Sequence, residues 1–188
     1  MKIKIALIDQ VNETRLLGVT IQEDLSWKSN TQNLVKRAYS RMIILRKLVE
    51  FDVKNEDLIT IYVLFIRSIT EQNSVVWSSS LTCDEMANLE RTQKVALRII
   101  FGSKYLSYEN ALELAGLPKI EDRYKKLLLR FAIKCTQNPK TQNMFPLAKC
   151  YEMTRHHEKF EVPMARKERY LKSSIPTMAR LLNEYLKK

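Results

Sequence analysis

Thr82-Cys83-Asp84-Glu85-Met86-Ala87-Asn88-Leu89-Glu90-Arg91-Thr92-Gln93-Lys94-Val95-Ala96-Leu97-Arg98-Ile99-Ile100-Phe101-Gly102 is the stretch whose reading decides the fold. Thr82 with Glu85 three residues on fits a capping box, and Gly102 after an apolar run fits a C-terminal cap, so a helix is bracketed at both ends. At 100° per residue, Met86, Leu89, Ala96, Leu97 and Ile100 gather on one side; Arg91, Lys94 and Arg98 lie within about 60° of one another, roughly opposite. One face is core and the other is cationic. Gln93 falls inside the apolar face, where its amide demands a buried hydrogen-bond partner, so its role reads as structural.

Helical patterns extend from this segment in both directions. Upstream, Val35, Ala38, Met42, Leu45 and Val49 repeat at steps of three and four and predict a helix over about 30–50, with Lys36, Arg37 and Arg41 spread widely around it and Ile44 and Leu48 among them. Asn55 as N-cap, with Glu56 and Asp57 behind it, opens a very apolar central helix through Ile69. Downstream, Ser107 to Gly116 reads as a short helix, Leu117-Pro118 as a turn, and Ile120 to Gln137 as a longer helix ended by Asn138-Pro139. In that helix Arg123, Lys126, Arg130 and Lys134 share a stripe about 80° wide, beside Ile120, Tyr124, Leu127, Phe131 and Cys135. Alternation through Lys2-Ile3-Lys4-Ile5 and the run Leu16-Leu17-Gly18-Val19-Thr20-Ile21 predict two short strands joined near Asn12. The pattern is weak from Thr141 to Ser173, until Pro176 opens a last helix carrying Leu181, Leu182 and Tyr185. The expected fold is mainly α, a helical bundle with a small N-terminal β-hairpin.

The chain has 188 residues, 32 Lys and Arg against 21 Asp and Glu, and a formal net charge of +11. With 45% of residues hydrophobic and only 3 glycines and 5 prolines, it can bury a real core and is not a disordered tail. The longest apolar stretch, Leu58 to Ile66, is broken by Thr60 and falls short of the roughly 20 residues that span a bilayer. No secretory leader is recognisable and three cysteines cannot all pair within one chain, so an intracellular, reduced protein is expected, without a membrane partner. Basic residues exceed acidic ones in residues 1–50 (nine to five), 101–150 (nine to four) and 151–188 (nine to five), but not in 51–100 (five to seven). Positive charge spread over folded segments favours a polyanion partner, most simply nucleic acid or an anionic membrane surface. Solvated helix faces would give the same composition.

No catalytic chemistry is legible. Cys135, Cys150, His156 and His157 lack zinc-ligand spacing, and no Gly-x-Ser-x-Gly elbow or phosphate-binding glycine loop occurs. Of the acidic doublets Glu23-Asp24, Glu56-Asp57, Asp84-Glu85 and Glu121-Asp122, three sit at predicted helix starts, where acids are expected anyway. Neither a metal nor a cofactor is expected.

The order of these features resembles the C-terminal part of the reverse transcriptase of non-LTR (LINE-type, jockey- or CR1-like) retrotransposons. The matching residues are Leu17-Gly18-Val19 with Leu25-Ser26-Trp27, then Tyr62, Ile66-Arg67, Val76-Trp77, Leu89-Glu90-x-x-Gln93 and Leu97-Arg98-Ile99-Ile100. Beyond these come Leu114-x-x-Leu117-Pro118-x-Ile120-x-x-Arg123, Arg155-His156, Pro163-x-x-Arg166, Ser174-Ile175-Pro176 and Leu181-x-Asn183. The resemblance implies a hairpin like the primer grip over 1–26, with Leu17 and Gly18 at its centre, a helical thumb-like region over 27–138, and a C-terminal extension over 139–188. It also implies that RNA or an RNA–DNA duplex packs on the thumb, that palm and fingers are partners within a longer product, and that the setting is nucleus or cytoplasm. The family's Ala-Asp-Asp carboxylates do not occur in this chain, and Asn30 stands where the family usually has His. The reading is a non-catalytic fragment of a truncated retroelement copy that binds nucleic-acid backbones through Arg91, Lys94, Arg98, Arg123, Lys126, Arg130, Lys134, Lys36, Arg37 and Arg41. Two alternatives remain. One is a structural or protein-interaction domain; the other is a DNA-binding helix-turn-helix over Tyr108–Leu117 and Ile120–Gln137, with Arg123, Lys126 and Arg130 toward DNA.

Overall fold

Helix α5 (Cys83–Phe101) is closed at both ends as its sequence requires. The Thr82 backbone N–H donates to Glu85 Oε2 at 2.7 Å, the Glu85 N–H donates to the Thr82 hydroxyl at 3.3 Å, and Gly102 ends the helix with φ +50°. A computed structural model describes residues 11–148, 159–164 and 166–187. Within them the fold is mainly α with a small N-terminal hairpin.

Strands β1 (Glu13–Leu16) and β2 (Val19–Gln22) pair antiparallel, Leu16 opposite Val19. The expected first strand, Lys2 to Ile8, lies outside the described residues. The run Leu16 to Ile21 is not one strand, because Leu17 (φ +48°) and Gly18 (φ +84°) turn it back on itself. Two successive positive φ values match the right-handed twist of a two-residue hairpin. At Gly18 the φ of +84° favours glycine, and a Cβ there would displace the end of the flexible Gln72 side chain. Buried Asn30 accepts the Thr20 N–H and pins β2 to the start of α1 (Lys28–Glu50).

Helix α1 packs along α5 and buries Leu34, Ala38, Met42 and Leu45. Val35 is half-buried and Val49 exposed, which corrects two positions of the expected face; Val49 lies in the last turn, where Glu50, Phe51 and Asp52 are also exposed. Asn55 is the first residue of α2 (Asn55–Ile61) and not its cap, and Lys54 before it makes no side-chain capping bond. The helix continues through a wide π-helical turn, Tyr62–Arg67, into α3 (Ser68–Glu71). In a regular α-helix each step of four residues drifts by 40°; the wider i→i+5 turn offsets that drift, so Leu58, Tyr62 and Ile66 all point inward.

Asn73, at φ +53°, separates α3 from a single turn, α4 (Ser74–Trp77), which buries Trp77 edge-on to Tyr124. Ser107 caps α6 (Tyr108–Ala115), and left-handed Gly116 closes it. Helix α7 (Ile120–Gln137) buries Ile120, Tyr124, Leu128, Ala132 and Cys135. Leu127 is half-buried and Phe131 41% exposed, against expectation, because α7 packs on both α4 and α9, which centres its core face on Leu128. After a short helix α8 (Glu168–Leu171), α9 (Ser174–Leu186) starts two residues before Pro176; Leu182 is buried, Leu181 half-buried and Tyr185 exposed. Buried Asn183 donates to the Phe160 carbonyl and accepts its N–H, each at 2.9 Å, which holds the segment before α8 against α9.

Gln93 sits at the centre, fully buried. Its Oε1 accepts from the Tyr62 hydroxyl, and its Nε2 donates to the Tyr108 hydroxyl and the Pro118 carbonyl, each at 3.0 Å. Tyr108 in turn donates to Glu90, whose other oxygen accepts the Ile120 N–H at 3.0 Å. Burial raises the pKa of Tyr62, Tyr108 and Tyr124 above the ordinary value, and at Tyr108 the Glu90 carboxylate adds to the rise. These phenols stay protonated in the fold but ionise near pH 10 in the unfolded chain, so stability falls as pH rises past about 10. Thermal melting between pH 8 and 11 should show that decline. Replacing Gln93 by Leu strands the Tyr62 hydroxyl and the Pro118 carbonyl, while Tyr108 keeps its bond to Glu90, and should cost about 3 kcal/mol, read from the urea midpoint.

Candidate nucleic-acid interface

On α5, Arg91, Lys94 and Arg98 are exposed, opposite the buried face, and form no ion pair with any described residue. Two of them rest on aromatic rings. Lys94 Nζ lies 4.9 Å from the centre of the Tyr108 ring, and the Arg98 guanidinium carbon 5.3 Å from that of Tyr105. The chain turns back at Gly102, which brings both rings under the cations of α5. Sequence reasoning missed these supports, although two tyrosines just beyond a helix-ending glycine were the available signal.

The stripe on α7 divides. Lys126, Arg130 and Lys134 are exposed without an ion pair among the described residues, as are Lys36 and Arg41 on α1. Arg123 is half-buried, and its Nε and NH2 donate to the two Glu71 oxygens at 2.9 Å each. Glu71 Oε1 also lies 2.8 Å from Nε of Arg67, which is 4% exposed. The bond to Glu71 raises the Arg123 pKa, and its charge neutralises a carboxylate inside the fold. Arg37 is half-buried and donates to Gln72 Oε1 at 3.3 Å. Leu17 is 87% exposed at the hairpin turn, and its carbonyl accepts from Asn73 Nδ2 at 3.1 Å.

Between α5, the start of α7 and α9 runs a cleft of about 690 Å³. Arg91 and Lys94 line one side and Lys119 and Lys125 the other, above Met86, Leu128 and Leu181. Neither Lys119 nor Lys125 stands out in the sequence, since Lys119 lies in the Pro118 turn before α7 and Lys125 falls on a different face of α7 from its other cations. Lys125 is paired with Glu121 at 2.7 Å. Helix geometry turns Lys126, Arg130 and Lys134 between about 100° and 180° away from Lys125, so the outer stripe of α7 faces away from this cleft. A second cleft, of about 640 Å³, lies at the N-terminal ends of α1 and α5 and includes Asp24, Asp84 and Glu85. Its acids disfavour a polyanion there and confine the basic face of α5 to the C-terminal two-thirds of the helix.

Among the described residues, no three His, Cys, Asp or Glu side chains gather into a group that could hold a metal ion. Cys150, His156 and His157 lie outside those residues. No described helix is long and apolar enough to cross a membrane. Comparison with family models, curated proteins and solved structures finds no match to this chain.

The ion-paired and free cations should separate on mutation. Glu71→Gln leaves Arg67 buried without its counter-ion and should cost about 3 kcal/mol. Changing Lys126, Arg130 or Lys134 singly to Ser should cost under about 0.5 kcal/mol in the same urea titration.

Proposed function

We propose that this chain is a non-catalytic nucleic-acid-binding unit, the thumb-like C-terminal part of a non-LTR retroelement reverse transcriptase, acting in nucleus or cytoplasm. It holds RNA or an RNA–DNA duplex by phosphate contacts that carry no sequence information. The observation that carries this reading is the set of exposed, unpaired cations on α5, two of them braced on aromatic rings, on a helix whose opposite face is fully buried.

The kinship is supported by where the matching residues meet. Tyr62, Glu90, Gln93, Pro118 and Ile120 share one hydrogen-bond network, and Arg67 and Arg123 share Glu71. Residues that converge in this way specify a scaffold, so the resemblance bears on fold and ancestry more than on any active site. Polymerisation would need the carboxylates of a palm outside this chain. Ile43 and Ile44 on α1 and Leu64 and Phe65 on the π turn are exposed, and they offer apolar surface to palm and fingers in a longer product. The same four side chains favour a second reading, a protein-interaction domain whose cations are merely solvated. The helix-turn-helix reading is weaker, because α6 and α7 both pack on α5 and Arg123 is held by Glu71.

Changing Arg91, Lys94 and Arg98 together to Ser should cost about 1 kcal/mol through the two lost cation–π contacts. It should weaken binding to RNAs of unrelated sequence equally and flatten the salt dependence by up to about three charges. A folded triple variant that binds like the parent at low salt would transfer support to the interaction-domain reading. Magnesium-dependent nucleotide incorporation by the pure chain would overturn its non-catalytic assignment.

A further inference from the structure

We propose that the α5–α7–α9 cleft takes an unpaired strand of nucleic acid, with a base on the apolar floor and the flanking phosphates on the cationic lips. This rests on the nucleic-acid reading above and names the form of nucleic acid that this face selects. A cleft of about 690 Å³ is in the range of small-ligand sites and large enough for a nucleoside unit. Arg91 and Lys94 stand on the α5 lip and Lys119 on the α7 lip, none with an ion-pair partner among the described residues.

Two carboxylates line the same cleft, and both are engaged. Glu90 accepts from Tyr108 and from the Ile120 N–H, and Glu121 is paired with Lys125. Four cations against two carboxylates leave an excess of two positive charges around the opening. Half-buried Met86 and Leu181, with Leu128 almost wholly buried, give the cleft an apolar floor. Stacked bases inside a duplex cannot reach such a floor, whereas an unstacked strand presents both an apolar base face and a phosphate on either side of it. The outer stripe of Lys126, Arg130 and Lys134 has no comparable floor in this cleft and suits a continuous duplex backbone.

Ala87 lines the cleft and is exposed, so Ala87→Trp fills the space without changing its charge. Fluorescence anisotropy on the full chain at low salt would compare a 12-residue oligo-uridine with a blunt duplex of equal length. The single strand should bind the parent protein at least tenfold more tightly, and Ala87→Trp should remove that advantage while changing duplex affinity less than twofold.

A second measurement works in the folded parent sequence, because Cys83 is exposed in the cleft while Cys135 is buried. In a Cys150→Ser background, oligo-uridine should slow maleimide labelling of Cys83 severalfold, and the blunt duplex should not. Equal binding of strand and duplex with unprotected Cys83 would overturn the cleft inference and leave the backbone-binding reading standing. Equal protection of Cys83 by polyglutamate would also overturn it, since the cleft would then not recognise bases. No binding of either nucleic acid by folded protein at low salt would overturn both.

Discussion

A single amide in an otherwise apolar helix face, that of Gln93, constrains the rest of the arrangement. A buried amide left without partners would cost several kcal/mol, so the chain must bring donors and acceptors to it. They come from three places: the π turn at Tyr62, the first residue of α6 at Tyr108, and the Pro118 carbonyl before α7. Greasy contacts tolerate rotation of a helix about its axis, but three directed hydrogen bonds do not. Fixing Gln93 therefore fixes the rotation of α5, and Arg91, Lys94 and Arg98, each at least about 100° around the helix from it, must face out.

The start of α7 depends on the same network. Lys119 occupies the N-cap position and its side chain cannot accept a hydrogen bond, which leaves the first helical N–H groups without a local cap. Glu90 supplies the missing acceptor from α5 by taking the Ile120 N–H, while its other oxygen takes Tyr108. Its carboxylate thus lies where the positive end of α7 stabilises it. The second anchor is Glu71, held between Arg67 and Arg123, with the Tyr124 hydroxyl donating to the Thr70 carbonyl at 2.6 Å beside it. Between them, two acidic side chains determine where α7 begins and which way it points, and so which of its cations are free.

Termini governed by local chemistry were legible in the sequence. The Thr82–Glu85 box, Gly102, Ser107 and Gly116 all act on helix ends within a few residues of themselves. What depends on a distant partner was not. The Leu17 carbonyl of the Leu17-Gly18 turn is held by Asn73, 56 residues along the chain, and aliphatic composition alone reads as a continuing strand. The π turn is invisible to any scheme of fixed 100° steps. The spacing of Phe131 from Ile120 and Tyr124 places it beside the core positions, but α4 and α9 flank α7 and move the buried arc toward Leu128 and Ala132. Arg123 illustrates the limit for function: periodicity places it with Lys126 and Arg130, and only the fold shows that Glu71 neutralises it.

Charge on α5 can be divided further by what the helix itself requires. Asp84 and Glu85 lie in the first turn and Arg98 in the last, where each offsets the partial charge of the helix end. Their placement needs no ligand to explain it. Arg91 and Lys94 lie in mid-helix, beyond the reach of either terminus, and neither has a carboxylate partner among the described residues. Lys94 gains a modest cation–π contact with Tyr108, and Arg91 has no comparable support. Both stand at the cleft, facing Lys119 across it. Like charges gathered around an opening repel one another in the empty protein, and an anion bound between them removes that repulsion. Of all the cations on α5, then, Arg91 and Lys94 have the least structural reason for their place, which is why the proposed phosphate contacts fall on them rather than on Arg98.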